Sequence, residues 1–213
     1  MQRPTRKASG VLCGLALSLA LAAQAQDEGV KRVEQLIKDA GSTVQAIGEG
    51  KLQFLKTIGV YNSILAEDAK DRKKLYKKLQ SEMAATQEKR AEVRRRADQM
   101  SLQAGILFKS WADSTAGIES PDLRKRSEER LEKTKDRFAE IQSAGQSAVD
   151  VYAPVMKALQ DQVTYLGHDL NAEAVASLKP DADKVNAQAQ ELTSRLDEAI
   201  AVANQNINAL RPQ

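Results

Sequence analysis

His168 is the one histidine in the chain, and it stands beside Asp169 and Asn171, three residues after Tyr165. A metal ligand or a pH-sensitive contact would use such a group. A histidine at the end of a helix also has a plainer use, bonding free carbonyls and favouring the helix dipole. With a single His, a metal site here would have to be a mixed His/carboxylate one, and the plainer use is the expectation. Asp161 has Lys157 and Tyr165 four residues to either side, on one helical face. That spacing gives a surface pair worth about 0.3 kcal/mol sooner than an acid–base centre. Glu128 and Glu129 are neighbours, so they point about 100° apart on a helix and form no dyad. Glu88 and Glu92 are expected to be solvated. No catalytic, cofactor-binding or metal-binding residue is assigned.

Gly48-Glu49-Gly50-Lys51 invites comparison with a phosphate loop. The full pattern needs a glycine where Gln45 stands and a Ser or Thr where Leu52 stands. No strand precedes it, so nucleotide binding is not expected. Two basic runs carry more. Lys70, Arg72, Lys73, Lys74, Lys77 and Lys78 crowd one segment, and Arg94-Arg95-Arg96 follows. They could meet anionic lipid head groups or lipopolysaccharide phosphates. The simpler expectation is pairing with acidic neighbours, because charge along a coiled-coil face is usually solvation or interhelix pairing. The last predicted helix offers Glu173, Asp181, Asp183, Glu191, Asp197 and Glu198 against three cations.

The elements that must position these groups are helices. The chain has 213 residues, 29% of them charged, five prolines and only eight aromatics. Its abundant Ala, Glu, Lys, Leu, Gln and Arg point to long helices or coiled coil. So few aromatics leave no base-stacking platform. Seams of alternating three- and four-residue steps run through predicted helices at 28–58, 67–116, 121–168 and 171–209. The first seam reads Val30, Val33, Ile37, Ala40, Val44, Ile47, Lys51, Phe54, Ile58, with bending or fraying expected near Gly48–Gly50. A joint falls within Gly59–Asp68, with Asn62 or Ser63 as the next cap. Ser120-Pro121-Asp122 is a strong helix start. The third seam, from Leu131 to Leu166, has no slip. It keeps its phase through Pro154, which predicts a kink there and not an end. Asn171 caps the fourth helix, and Pro180 bends or restarts it. Pro154, His168 and Asn171 together read as the joint between the last two long helices. The expected fold is all-α: an elongated antiparallel bundle of about four long helices with coiled-coil packing, forming a single domain over 26–213.

Residues 1–25 read as an export signal. Arg3, Arg6 and Lys7 precede the apolar run Val11–Ala23, and Ala23-Gln24-Ala25 is an A-x-A cleavage motif. The run is shorter than the roughly 20 residues of a membrane anchor. The one cysteine, Cys13, sits inside it, and Gly10 occupies the place a lipid-anchor motif needs for Leu. Cleavage near Ala25 would leave no thiol, hence no disulfide and no Cys-ligated metal. It would also leave 29 cations against 29 acids, so the basic balance of the whole chain argues for no nucleic-acid partner.

The C-terminal half resembles a bacterial family, domain of unknown function 2959. The resemblance rests on FKSW at Phe108–Trp111 and LRKRSEERLEKTKDRF at Leu123–Phe138. It continues in PV at Pro154–Val155 and DQVTYLGHDLNAEAVASL at Asp161–Leu178. It implies an exported helical protein with no established activity, and it carries no catalytic residue over. The chain departs from the lipid-anchored members in lacking a usable lipobox. The expected function is non-enzymatic and periplasmic: an interaction or scaffold factor of the cell envelope, with an envelope protein or a second copy as partner and no cofactor. The other reading is an amphipathic bundle that binds anionic lipid or lipopolysaccharide at the membrane surface.

Overall fold

The computed structural model describes residues 12–211, with side chains from Gly29 onward. Arg3, Arg6 and Lys7 of the expected export signal lie outside the described residues. The elements are α1 (Leu12–Leu65), α2 (Arg72–Ala116), α3 (Pro121–His168), the short α4 (Ala172–Ser177) and α5 (Lys179–Leu210). No strand occurs among the described residues. The fold is an all-α bundle.

Cross-helix contacts fix the directions. Glu49 meets Lys89, and Thr57 meets Thr86, so α1 and α2 run antiparallel. Arg90 lies over Tyr152 and Trp111 bonds Ser127, which reverses α3 against α2. Asn206 bonds Glu140, and Lys51 bonds Asp197, which set α5 antiparallel to both α3 and α1. The four long helices therefore form a ring, with α1 diagonal to α3 and α2 diagonal to α5. At about 1.5 Å per residue, α2 and α3 each run roughly 70 Å.

Two apolar cores fill the ring. The larger surrounds Phe54, Tyr61, Ile64, Leu79, Leu159, Leu166 and Leu192 at the α1–α2 turn end. The smaller packs Leu36, Met100, Leu107, Phe138 and Ile207 at the other end. There Phe108 meets Phe138 edge-on, with ring centres 5.8 Å apart. Between them the buried residues are small or polar: Thr43, Ala46, Ala148 and Ala199. Tyr61, wholly buried, donates a hydrogen bond to Gln162 on the diagonal helix. Burial, helped by the charges of Asp181 and Asp183, drives the pKa of its hydroxyl far above the ordinary value. It stays a donor.

Several expected boundaries move. α1 passes unbroken through Gly48, Gly50 and Gly59 to Leu65, because both flanks are tied: Glu49 to Lys89 on α2, Lys51 to Asp197 on α5. Asn62 and Ser63 cap nothing. Asn62 pairs with Asn186 of α5, and Ser63 bonds the Gly59 carbonyl. The cap of α2 is Asp71, whose carboxylate accepts from the Lys74 amide at 3.0 Å. Ser120 sits at the N-cap of α3 without a side-chain bond, leaving Pro121 and Asp122 as the start signals. α3 runs on through Pro154, which is exposed, so its missing amide leaves a carbonyl that water can reach. The expected last helix is divided at Leu178 into α4 and α5, with Pro180 in the first turn of α5. Val30 of the predicted seam is 48% exposed. Leu36, Thr43, Ala46, Thr57 and Tyr61 are buried in its stead, because α1 buries a wider face than one seam.

Gly41, Gly48 and Gly59 lie in the interior of α1 with nothing within 4 Å of an added Cβ. Replacing each by Ala should raise stability by about 0.5–1 kcal/mol, read from the denaturation midpoint. Tyr61→Phe leaves the Gln162 carbonyl buried without its donor and should cost about 1–3 kcal/mol by the same measurement.

Candidate functional site

The turn between α1 and α2 is built by two residues. Arg72 reaches back from the first turn of α2 and donates to the carbonyls of Ile64 and Ala66, at 3.2 and 3.0 Å. The Ile64 carbonyl is one of the last acceptors of α1, and the Ala66 carbonyl, just beyond it, also accepts from the Ala69 amide. Asp71 takes the left-handed conformation (φ 52°), which Asp tolerates better than most side chains, and its carboxylate starts α2. With the turn closed, Leu75 and Leu79 face the core. Lys73, Lys74, Lys77 and Lys78 are exposed on the first two turns, with Lys70 exposed just before them. Tyr76 turns inward against α3, and its hydroxyl would lie 2.7 Å from a Cβ on Gly167. Only glycine leaves that space.

Arg72 therefore leaves the expected contact set, since its guanidinium is held by backbone carbonyls. The five lysines remain, and none of them forms an ion pair among the described residues. The expected pairing with the last long helix does not occur, because α5 lies diagonally across the bundle from α2. Its acids serve nearer cations: Asp181 pairs with Lys184, Glu191 and Glu198 with Arg195, and Asp197 with Lys51. The second basic run is paired within its own helix, Arg94 with Asp98 and both Arg95 and Arg96 with Glu92. No acid occurs on α2 between Arg72 and Ser81. The next one, Glu82, is nearly buried and committed to α1.

That commitment is a polar lattice with no counterpart in the sequence reading. Gln53 and Lys56 of α1 bond the Glu82 carboxylate at 2.8 and 2.9 Å. The hydroxyls of Thr57 and Thr86 sit 2.8 Å apart, each also within reach of the Glu82 carbonyl. The bonds from Gln53 and Lys56 hold the Glu82 carboxyl below its ordinary pKa. Lys89 does the same for Glu49, and Arg96, with Arg95, for Glu92.

The remaining candidates disperse. His168 is exposed and makes no hydrogen bond among the described residues, so it does not close the turn. Asp169 and Asn171 close it: the Asp169 carboxylate accepts from the amide and side chain of Asn171, both at 2.8 Å. The Asn171 side chain in turn accepts from the Ala174 amide. Asp161 pairs with Lys157, while Tyr165 meets Ser177 of α4. Glu128, Glu129 and Glu88 are exposed. Gly48–Lys51 is helix, not loop.

Two grooves remain. One, of about 390 Å³ between α1 and α2, is lined by Gln45, Glu49, Gln53, Glu88, Lys89 and Glu92 among others. Its charges largely satisfy one another. The second, of about 330 Å³ between α2 and α3, is lined by Gln87, Arg90, Arg94, Tyr152 and Met156. Arg90 stacks 4.8 Å over the Tyr152 ring. Burial raises the pKa of the Tyr152 hydroxyl, which is buried without a hydrogen-bond partner, and Arg90 opposes the shift. Neither groove pairs a nucleophile with a base. Among the described residues no three of His, Cys, Asp and Glu gather as a metal would need. No helix among them is long and apolar enough to cross a membrane.

Acid should loosen the α1–α2 lattice. The folded values of Glu49, Glu82 and Glu92 lie below the ordinary 4.5. Their stabilisation is therefore complete above that value and is lost as pH falls through the lowered ones. A denaturation series titrated into the acid range should decline there, and Glu82→Gln should soften the decline; a flat profile would refute the assignment. At the α3–α4 turn, Asn171→Ala should cost about 1 kcal/mol by thermal unfolding. His168→Ala should leave stability close to the parent.

Comparison with known protein families finds a match over most of the chain. The profile of a family described as a protein of unknown function, DUF2959, matches residues 23–210. No curated protein and no solved structure matches the chain.

Proposed function

The chain belongs to the DUF2959 family, and on that premise we propose that it is a non-enzymatic, exported interaction protein of the cell envelope. It acts in the periplasm as a scaffold, presenting long charged helix faces to a partner protein or to a second copy. The observation that carries this reading is how the polar groups are used. Where they converge, as at Glu82 and Thr57, they join helix to helix. Where they are exposed, they spread along the outer faces as charge. Neither arrangement brings a nucleophile, a base and an oxyanion donor to one point. Export is supported by the order of the first residues: three cations, an apolar run, then Ala23-Gln24-Ala25.

Fractionation followed by N-terminal sequencing should find the chain in the periplasm beginning at Gln26; a cytoplasmic chain retaining Met1 would refute export. Photo-crosslinkers at exposed positions of α2, such as Ala84 or Glu88, should capture a defined envelope protein or a second copy. A hydrolase screen that found robust turnover, lost in His168→Ala, would overturn the non-enzymatic reading.

A further inference from the structure

Lys70, Lys73, Lys74, Lys77 and Lys78 form an exposed contact face whose cations make no ion pair among the described residues. We propose that this face docks the α1–α2 turn end of the molecule onto a membrane surface bearing anionic phosphate head groups. This rests on the interaction reading above and names the partner of one of its faces.

Four observations carry it. The first is density. Lys73, Lys74, Lys77 and Lys78 fall within about 8 Å of rise along α2, with Lys70 in the turn just before it, near the screening length of physiological salt, so they act together on an outside charge. The second is isolation. The acids of α5 are diagonal to α2, and Glu67 pairs with Lys179. Glu82 is bonded to Gln53 and Lys56, with only Lys78 of the five lysines in its field, and the Asp71 carboxylate is turned to the Lys74 amide. Asp68 is thus the one exposed acid of the turn left against five lysines. The third is placement. Lys73 and Lys77, and Lys74 and Lys78, are like charges one turn apart at the positive end of a helix dipole, and both arrangements weaken a helix. Of α2 to α5, only α2 has no acid in its first turn. The fourth is shape and chemistry. The patch lies on a convex helix surface, away from both grooves, so it fits a broad surface and not an inserted peptide. Its one guanidinium, on Arg72, is engaged with carbonyls. What remains are ammonium point charges, which suit phosphates in any orientation and lack the bidentate geometry of carboxylate recognition. Leu75 and Tyr76 pack into the bundle, so no apolar side chain of these turns is free to insert. The attachment is electrostatic and peripheral.

The test is co-sedimentation of the chain, as cells produce it, with phosphatidylcholine vesicles with and without phosphatidylglycerol. Binding should require phosphatidylglycerol at low salt and be released at high salt. Replacing Lys73, Lys74, Lys77 and Lys78 by Gln should weaken it on the order of several hundred-fold, about fivefold for each lysine. Circular dichroism should show the helices retained. The matched variant Lys125→Gln, Arg126→Gln, Arg130→Gln, Lys133→Gln removes four exposed cations from α3 and should bind as the parent does. Inorganic polyphosphate should compete only weakly, since it offers no extended surface. The proposal is overturned by no binding to phosphatidylglycerol vesicles, by binding that survives high salt, by an equal loss in the α3 variant, or by polyphosphate binding that outcompetes vesicles. Vesicle failure alongside successful crosslinking from α2 would leave the interaction reading standing and remove only the membrane.

Discussion

The backbone carbonyl of Glu82 has three side-chain donors around it: the Thr57 hydroxyl, the Thr86 hydroxyl and the Gln53 amide. Thr57 is fully buried and Thr86 nearly so. A slide of one residue between α1 and α2 moves these groups about 1.5 Å along the axis and 100° around it. Each hydroxyl would keep the carbonyl of its own helix, Gln53 for Thr57 and Glu82 for Thr86, but the two would part. The nearly buried Glu82 carboxylate would lose Gln53 and Lys56 of α1, at about 1–3 kcal/mol for the unpaired group. The apolar contacts on either side are less exacting, since Leu, Ile and Met tolerate small shifts. The polar cluster therefore fixes one axial match between the first two helices.

The other contacts inherit that match. With α1 and α2 set, Tyr61 lies at the level of Gln162, and Lys51 at the level of Asp197. No disulfide among the described residues assists. The two apolar cores hold the ends of the bundle, and the tract between them is occupied by alanines, threonines and ion pairs. The same economy governs charge. Many acids and bases are matched within helices or between ring neighbours; the lysines at the start of α2 are in no such pair, and the acid-rich helix is on their far diagonal.

The sequence made the helices legible, and α3 most of all. Its seam from Leu131 to Leu166 matches the buried residues closely, because one regular stripe is enough to describe it. α1 was less legible. Every helix of the ring has two neighbours, but on α1 the core spreads beyond the regular stripe to Leu36 and Tyr61. The turn between α1 and α2 could not be read from local pattern. Arg72 becomes a cap only because α1 ends where its guanidinium can reach, and Asp71 only because the backbone turns left-handed there. The lysine run was plain in the sequence, but its lack of partners was not, since that depends on which helices are diagonal. His168 drew attention by being unique, and uniqueness carries no information about surroundings.

The ring order also bears on how the chain reaches this shape. α1 meets α2, and α2 meets α3, across short turns, so those contacts form between stretches close in sequence. The contact of α1 with α5 joins Lys51 to Asp197 and Asn62 to Asn186, across separations of 146 and 124 residues. Closing loops of that length carries the largest entropic cost in the molecule. The edge between α1 and α5 can form only after the last long helix has been made, so the ring stays open along it while the chain is being synthesised.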